Sequence, residues 1–354
     1  MRQPVLLIRA DANVAIGTGH VMRCLALAQA WQEAGGSVVF GAVGTTPSLR
    51  RRLQADGIEI KALGAEPGGR EDARATLKIV NAVRADWIVV DGYQFGANYQ
   101  RAIKSSSCKL LFVDDNGHAG DYCADVVLNQ NAHANESLYI KREPYTHLLL
   151  GPDYAMLRRE FWACWEWQRE IRETGTRVLI AMGGTDPESL TQRIIGALEN
   201  VPELRLEVLA IVGGSNPHLA EIESVSARSR HSIRVARDAT NMPSLMAWAD
   251  MAISAAGSIC WEFCALALPA LLTAVASNQV AAADTLQRMG AAKIFSSGQA
   301  FCPEEFAREV TDLITSSSER RSLSQRARTL VDTRGAARVV DALCGEAACG
   351  MERP

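Results

Sequence analysis

Among the side chains able to move a proton at neutral pH, His20 has the most suggestive neighbours. It closes the stretch Ile16-Gly17-Thr18-Gly19-His20-Val21-Met22-Arg23, which follows an apolar run ending in Arg9-Ala10-Asp11. Glycines at a strand-to-helix turn let the backbone approach a ligand closely, and the free N–H groups at the helix start favour an anion or a developing negative charge. An imidazole placed there can reach a ligand and act as a general base; the plain alternative is a polar helix cap. Asp11 is expected to orient His20 or to bind a sugar hydroxyl, with capping of the glycine turn as the equal alternative. A dinucleotide fingerprint is disfavoured. Met22 stands where the third glycine belongs, and the second strand (37–43) does not end in the acid that holds a ribose hydroxyl.

The second half repeats the design twice. Met182-Gly183-Gly184-Thr185-Asp186-Pro187 and Ile253-Ser254-Ala255-Ala256-Gly257-Ser258 each lead from a strand-like run into a helix-like one. Gly184, Thr185, Gly257 and Ser258 at such turns suit a diphosphate, because open α/β sheets bind ligands at the carboxyl ends of their strands. Glu262, on the helix face of Ser258, can accept both hydroxyls of a ribose, unless it is an ordinary exposed Glu after a tight turn. Asn278 and Gln279 add neutral donors at the same edge, with helix capping as the alternative for Asn278. In the first half, Asp91-Gly92-Tyr93 and Asp114-Asp115 also follow strand-like runs. Without a D-x-D or clustered His/Asp spacing they read as hydroxyl recognition and turn capping rather than a metal site. No G-x-x-x-x-G-K-[ST], H-E-x-x-H or G-x-S-x-G occurs, which leaves NTPase, zincin and serine-hydrolase chemistry unsupported.

Positioning these loops requires alternating strands and helices, and the chain has them. Strands are expected at 5–9, 37–43, 58–63, 87–90, 109–113, 125–128 and 147–150, with helices at 21–33, 47–55, 71–83 and 97–104 between them. A second series follows, with strands at 177–182, 205–212, 233–235, 251–254, 270–275 and 292–295 and helices at 188–199, 242–249, 258–267 and 278–289. Helices at 304–315, 319–331 and 336–343 close the chain. The expectation is an α/β protein of two doubly wound, Rossmann-like domains: 1–155 with the histidine, 156–175 as an interdomain segment dense in Trp, Arg and Glu, 176–335 as the nucleotide-holding domain, and 336–354 as a C-terminal helix and tail.

Composition narrows the partners. With 37 Lys+Arg against 40 Asp+Glu the net charge of the 354-residue chain is −3, and no basic run offers a track for nucleic acid or anionic lipid. The apolar stretch 265–276 is interrupted by Pro269 and falls short of the roughly 20 residues a bilayer span needs. The first residues leave no room for a signal peptide, so a cytoplasmic protein is expected; a monomer is expected as well. Nine cysteines without C-x-x-C read as reduced thiols, with Cys24, Cys260 and Cys264 as small buried hydrophobes.

Taken in order, R-x-D-x(5)-G-x-G-H-x-x-R (Arg9 to Arg23), D-G-Y, G-x-x-Y-x-x-L-R-x-E-F (Gly151 to Phe161), G-G-T-D-P and A-G-S-x-x-W-E with a later N-Q resemble the UDP-2,4-diacetamido-2,4,6-trideoxy-β-L-altropyranose hydrolases of pseudaminic acid biosynthesis. The resemblance runs over nearly the whole chain. It implies a GT-B fold, two Rossmann-like domains facing an interdomain cleft, similar to the peptidoglycan GlcNAc transferase. It also implies a reaction without metal or cofactor, in which the histidine at the position of His20 serves as the base for water attacking the anomeric carbon, with inversion and release of UDP. By the same resemblance Glu262 holds the uridine ribose, Gly257-Ser258 and Gly184-Thr185 the diphosphate side, Tyr93 the sugar or water, and Gly17, Thr18 and Gly19 the substrate. Arg158 of the L-R-x-E-F motif would offset diphosphate charge. A GT-B glycosyltransferase using a UDP-sugar donor in surface polysaccharide synthesis is the competing reading.

Overall fold

The structure is a computed structural model and describes residues 2–12, 18–202, 204–214, 216–297 and 301–345. The chain forms two compact units, 1–159 together with 333–354, and 160–332. The first unit runs β1 (Val5–Ala10), α1 (Gly19–Glu33), β2 (Ser37–Ala42), α2 (Pro47–Ala55), β3 (Glu59–Ala62), α3 (Arg70–Val83), β4 (Trp87–Asp91), α4 (Ala97–Ile103), β5 (Lys109–Val113), β6 (Val126–Asn129) and β7 (His147–Leu150). Its seven strands form one sheet in the order β3-β2-β1-β4-β5-β6-β7, every neighbouring pair parallel. The central strands are continuous apolar runs because both their faces are covered, whereas the edge strand β3, Glu-Ile-Lys-Ala, has no fully buried residue.

The second unit runs β8 (Arg177–Ala181), α5 (Leu190–Leu198), β9 (Glu207–Val212), α6 (Leu219–Arg228), β10 (Ser232–Arg237), α7 (Met242–Trp248), β11 (Met251–Ala255), α8 (Ile259–Ala265), β12 (Ala270–Ala274), α9 (Ser277–Arg288), β13 (Lys293–Ser297), α10 (Pro303–Thr315) and α11 (Ser317–Arg328). Its six-stranded sheet has the order β10-β9-β8-β11-β12-β13. The one full helix the sequence reading lacks is α6. Only Leu219, Ile222 and Val225 of its ten residues form an apolar stripe, and that stripe packs on the unit's core with Ile222 fully buried. A narrow stripe in a polar segment is a weak periodic signal.

The final helix, α12 (Gly335–Cys344), belongs to the first unit. It lies against α1 and the 3-10 turn Pro152–Tyr154, and Arg338 Nη1 donates to the Asp153 carbonyl at 2.9 Å. The division therefore runs through the stretch 156–175 and again at Asp332/Thr333. Cys24, Cys260 and Cys264 are buried as small core residues, and burial pushes all three thiols up from their ordinary range. No helix of the described residues is long and apolar enough to cross a membrane.

Candidate active site

In each unit the chain leaves the middle of the sheet in opposite directions at one place, between β1 and β4 in the first and between β8 and β11 in the second. At such a switch point the loops beyond the carboxyl ends of the two strands diverge and leave a crevice, the usual ligand position in open α/β sheets. Of the predicted site residues, Asp11, Thr18, Gly19, His20 and Tyr93 follow β1 or β4 in the first unit, and Gly184, Thr185, Gly257 and Ser258 follow β8 or β11 in the second.

In the first unit Arg9, the residue before the last of β1, is fully buried. Its guanidinium grips Asp72 of α3 with two bonds (Nε to Oδ1 3.0 Å, Nη2 to Oδ2 2.9 Å), pairs with Asp11 at 2.7 Å and stacks 4.9 Å over the Phe95 ring. Asp11 in turn accepts from the Val43 N–H at 2.8 Å and the Gln94 side-chain amide at 3.1 Å. Both oxygens are thus committed to tying the loops after β2 and β4 to the end of β1. The expectation that Asp11 orients His20 is corrected: another carboxylate holds that place.

That carboxylate is Asp91, the last residue of β4. His20 lies in the first turn of α1 and is 8% exposed, and its Nδ1 is 2.7 Å from Asp91 Oδ1. Arg23, three residues on and so on the same helix face, forks onto Asp91 through Nε to Oδ2 and Nη2 to Oδ1, both 2.7 Å. Its third nitrogen, Nη1, reaches both oxygens of Asp115 at 2.9 Å. Asp115 also accepts from the Tyr93 hydroxyl at 3.1 Å and the Asn131 side-chain amide at 2.7 Å. Burial by itself would raise the Asp91 carboxyl, but the Arg23 charge and His20, with hydrogen bonds from both, outweigh it and hold the group well below the usual carboxylate range. Burial likewise disfavours the Arg23 cation, and Asp115 and Asp91 overcome that cost. Tyr93 is 42% exposed and meets the His20 ring edge-on at 5.1 Å. No group of the described residues bonds His20 Nε2.

Asp114 does what a turn cap does: its carboxylate accepts the N–H groups of Asn116, Gly117, His118 and Ala119 and the Tyr122 hydroxyl. Burial would raise it, yet His118, the Tyr122 hydroxyl and the backbone donors bring it down to about 2. Thr18 is the residue before α1 and Gly19 its first, whereas Gly17 lies outside the described residues. Arg158, expected to project toward substrate from the segment between the domains or else to be an ordinary surface Arg, is 7% exposed and belongs to the first unit.

In the second unit, Gly183 has φ +96° in the turn after β8, a conformation that favours glycine, and Gly184 is packed so closely by Gly213 that a Cβ on Gly213 would overlap the Gly184 carbonyl. The helix start beyond this turn is not open to a phosphate, because Asp186 accepts from the N–H groups of Leu190 and Thr191, both at 2.8 Å. Only the turn itself, with Gly184 and Thr185, remains for an anion. After β11, Gly257 and Ser258 lead into α8, with Glu262 half-buried one turn on. A Cβ on Gly257 would come 3.9 Å from the side-chain nitrogen of Gln279, so Gly257 and Gln279 are neighbours. Asn278 stands in the first turn of α9, and Gln279 accepts the Val275 N–H at 3.0 Å, closing that turn.

The sequence reading missed Arg23 and Asn131 as partners of the site and took Asp115, with Asp114, for hydroxyl recognition and turn capping. It named Asp91 only as part of D-G-Y. Arg23 was visible as the last letter of the histidine motif, but nothing local says that it bridges two carboxylates 68 and 92 residues away. Among the described residues no group of three or more His, Cys, Asp or Glu side chains is arranged to hold a metal ion.

Residues 177–339 match the glycosyltransferase family 28 C-terminal domain. The chain is 27% identical over 289 residues to the UDP-2,4-diacetamido-2,4,6-trideoxy-beta-L-altropyranose hydrolase of Campylobacter jejuni, covering 80% of this chain and 97% of the relative. It is 26% identical over 268 residues to the spore coat polysaccharide biosynthesis protein SpsG of Bacillus subtilis, covering 74% and 77%. Among solved structures the fold matches MurG of Acinetobacter baumannii with a TM-score of 0.66 at 19% identity, covering 97% of this chain and 99% of that one. Two all-parallel, doubly wound sheets with these neighbours make the fold GT-B in type. The resemblance read from the ordered motifs therefore holds: over four-fifths of its length the chain is similar to a UDP-2,4-diacetamido-2,4,6-trideoxy-beta-L-altropyranose hydrolase.

Proposed function

We propose that the protein is a nucleotide-sugar hydrolase that releases UDP and free 2,4-diacetamido-2,4,6-trideoxyhexose, in nonulosonic (pseudaminic) acid biosynthesis. The observation that carries this reading is His20: an imidazole at the switch point of the first sheet, with Nδ1 committed to Asp91 and no bond to Nε2 from the described residues, on a chain that aligns with 97% of a relative named for this hydrolysis.

In the proposed reaction a water oxygen forms a bond to the anomeric carbon, its proton passes to His20 Nε2, and the bond from that carbon to the diphosphate oxygen breaks with its electron pair leaving on UDP. Attack opposite the leaving group inverts the centre, and no metal is required. UDP is a competent leaving group once its charge is held, so positioning and a base supply most of the chemistry. The second unit contributes the nucleotide side: Gly184, Thr185, Gly257 and Ser258 toward the diphosphate, Glu262 toward the ribose, Asn278 and Gln279 as neutral donors beside them. Tyr93 stands next to the base toward sugar or water.

A glycosyltransferase with a UDP-sugar donor in surface polysaccharide synthesis is the second reading, favoured by the family 28 domain and by the spore-coat relative. The deciding experiment follows UDP release from UDP-2,4-diacetamido-2,4,6-trideoxy-β-L-altropyranose with EDTA present and no acceptor, with NMR of the sugar. Free sugar of inverted configuration is expected. Tight UDP binding without release would move the assignment to the transferase or to another nucleotide sugar.

A further inference from the structure

We propose that Asp91, clamped by Arg23, is the positioning residue of His20, holding the neutral ring as the Nδ1–H tautomer so that the lone pair sits on Nε2. The proposal rests on the reading of His20 as the base and adds what makes it one.

Two groups compete for Nδ1. Asp91 Oδ1, an acceptor, lies at 2.7 Å, and Arg23 Nη2, a donor, at 3.2 Å. The shorter, charge-assisted contact decides, because Arg23 Nη2 already donates to Asp91 Oδ1 at 2.7 Å and a guanidinium has no lone pair to offer. Nδ1 therefore carries the hydrogen and gives it to Asp91, and a neutral imidazole protonated at Nδ1 has its basic nitrogen at Nε2.

Arg23 has a second effect. With two guanidinium hydrogens on Asp91 and a third on Asp115, the carboxylate is fixed as an anion in a fully buried position. A proton taken from water then stays on the imidazole, and Asp91 stabilises the imidazolium without receiving the proton itself. Asp115 joins the same Arg23 to the Tyr93 hydroxyl, so the groups beside the reacting water are held by one buried chain of charges.

Asp91→Asn separates this role from a structural one. Asp91 Oδ2 takes two fixed donors, Arg23 Nε and the Cys24 thiol, whereas Oδ1 is shared by Arg23 Nη2 and the adaptable His20 ring, so the amide oxygen belongs at the Oδ2 place and the Asn NH2, standing where Oδ1 was, faces His20 Nδ1 and sets the ring in the wrong, Nε2–H tautomer. Nitrogen-15 NMR of histidine-labelled full-length protein is expected to show Nδ1–H in the wild type and Nε2–H in the variant, with kcat reduced on the order of 10²- to 10⁴-fold and KM little changed. The double variant Asp91→Asn/Arg23→Met removes the competing demand, lets the amide oxygen face His20 and should recover part of kcat over Asp91→Asn alone. It also keeps the test open if the single variant does not fold. A wild-type ring protonated at Nε2, or an Asp91→Asn protein that keeps Nδ1–H and full kcat, overturns the assignment. The tautomer is read without substrate, so a protein with the expected tautomer that hydrolyses no UDP-sugar would sink the hydrolase reading alone.

Discussion

At the scale of single residues, the first unit contains two buried ionic assemblies built from similar parts. Arg9, Asp72 and Asp11 are all nearly inaccessible and end on backbone and side-chain donors, which makes them a strut between β1, α3 and two loops. Arg23, Asp91 and Asp115 end on His20 and on the partly exposed Tyr93. Replacing His20 by Ala is expected to lower turnover on the order of 10²- to 10⁴-fold while UDP affinity, measured by calorimetry, stays close to wild type. An equal loss of affinity would make the imidazole a ligand-holding group. Removing one partner of a buried pair typically costs about 3–5 kcal/mol, so variants of Asp91 and Asp72 alike should unfold earlier, and only those of Asp91 should also change the tautomer of His20. His20 was legible in the sequence because its signal is local, a histidine ending a glycine turn. Asp91 was not, because the pairing spans 71 residues and exists only through the adjacency of β1 and β4.

At the scale of elements, the strands and most helices were legible because continuous apolar runs of strand length, separated by amphipathic stretches, admit few alternatives to a parallel sheet. What the turns do was less so. The G-G-T-D-P turn reads as open to an anion, yet Asp186 occupies the start of α5. Asp186→Ala should weaken that helix start by about 1–2 kcal/mol, seen as faster hydrogen exchange of the Leu190 and Thr191 amides; unchanged exchange would remove Asp186 as the cap. The turn after β5 makes a pH prediction. Burial would lower His118, but the Asp114 carboxylate, with Oδ1 3.1 Å from His118 Nδ1, raises it above its ordinary value, while Asp114 is brought down to about 2. For His118 the contribution to stability is complete below about pH 6.5, its unperturbed value, and is lost as pH rises through the raised value. For Asp114 it is complete above about pH 4 and lost as pH falls toward 2. The stability difference between wild type and His118→Gln should therefore be flat between about pH 4 and 6.5 and shrink on either side. A difference that grows above neutrality would contradict the pairing.

At the scale of the whole chain, the first unit is completed by residues that follow all of the second unit in the sequence. Helix α12 turns Ala336, Val339, Val340 and Leu343 inward, and Gly335 begins it so close to Ala155 that a Cβ would overlap that residue's backbone. Burying side chains of this size is worth about 1.5–3 kcal/mol each, so the two valines and the leucine together represent on the order of 5–9 kcal/mol before the compactness of the unfolded chain is subtracted. Domains of this kind are stable by only about 5–15 kcal/mol, so that contribution is a large share of the first unit's total. A chain ending at Asp332 should keep slow hydrogen exchange in β8 and β11 and lose it in β1 and α1, the helix that carries His20 and is covered by α12. Gly335→Val, which keeps every apolar residue of the helix but cannot seat its first turn, should shift exchange in the same direction by a smaller amount. Equal protection of α1 with and without α12 would mean that the first unit is already complete at Arg159.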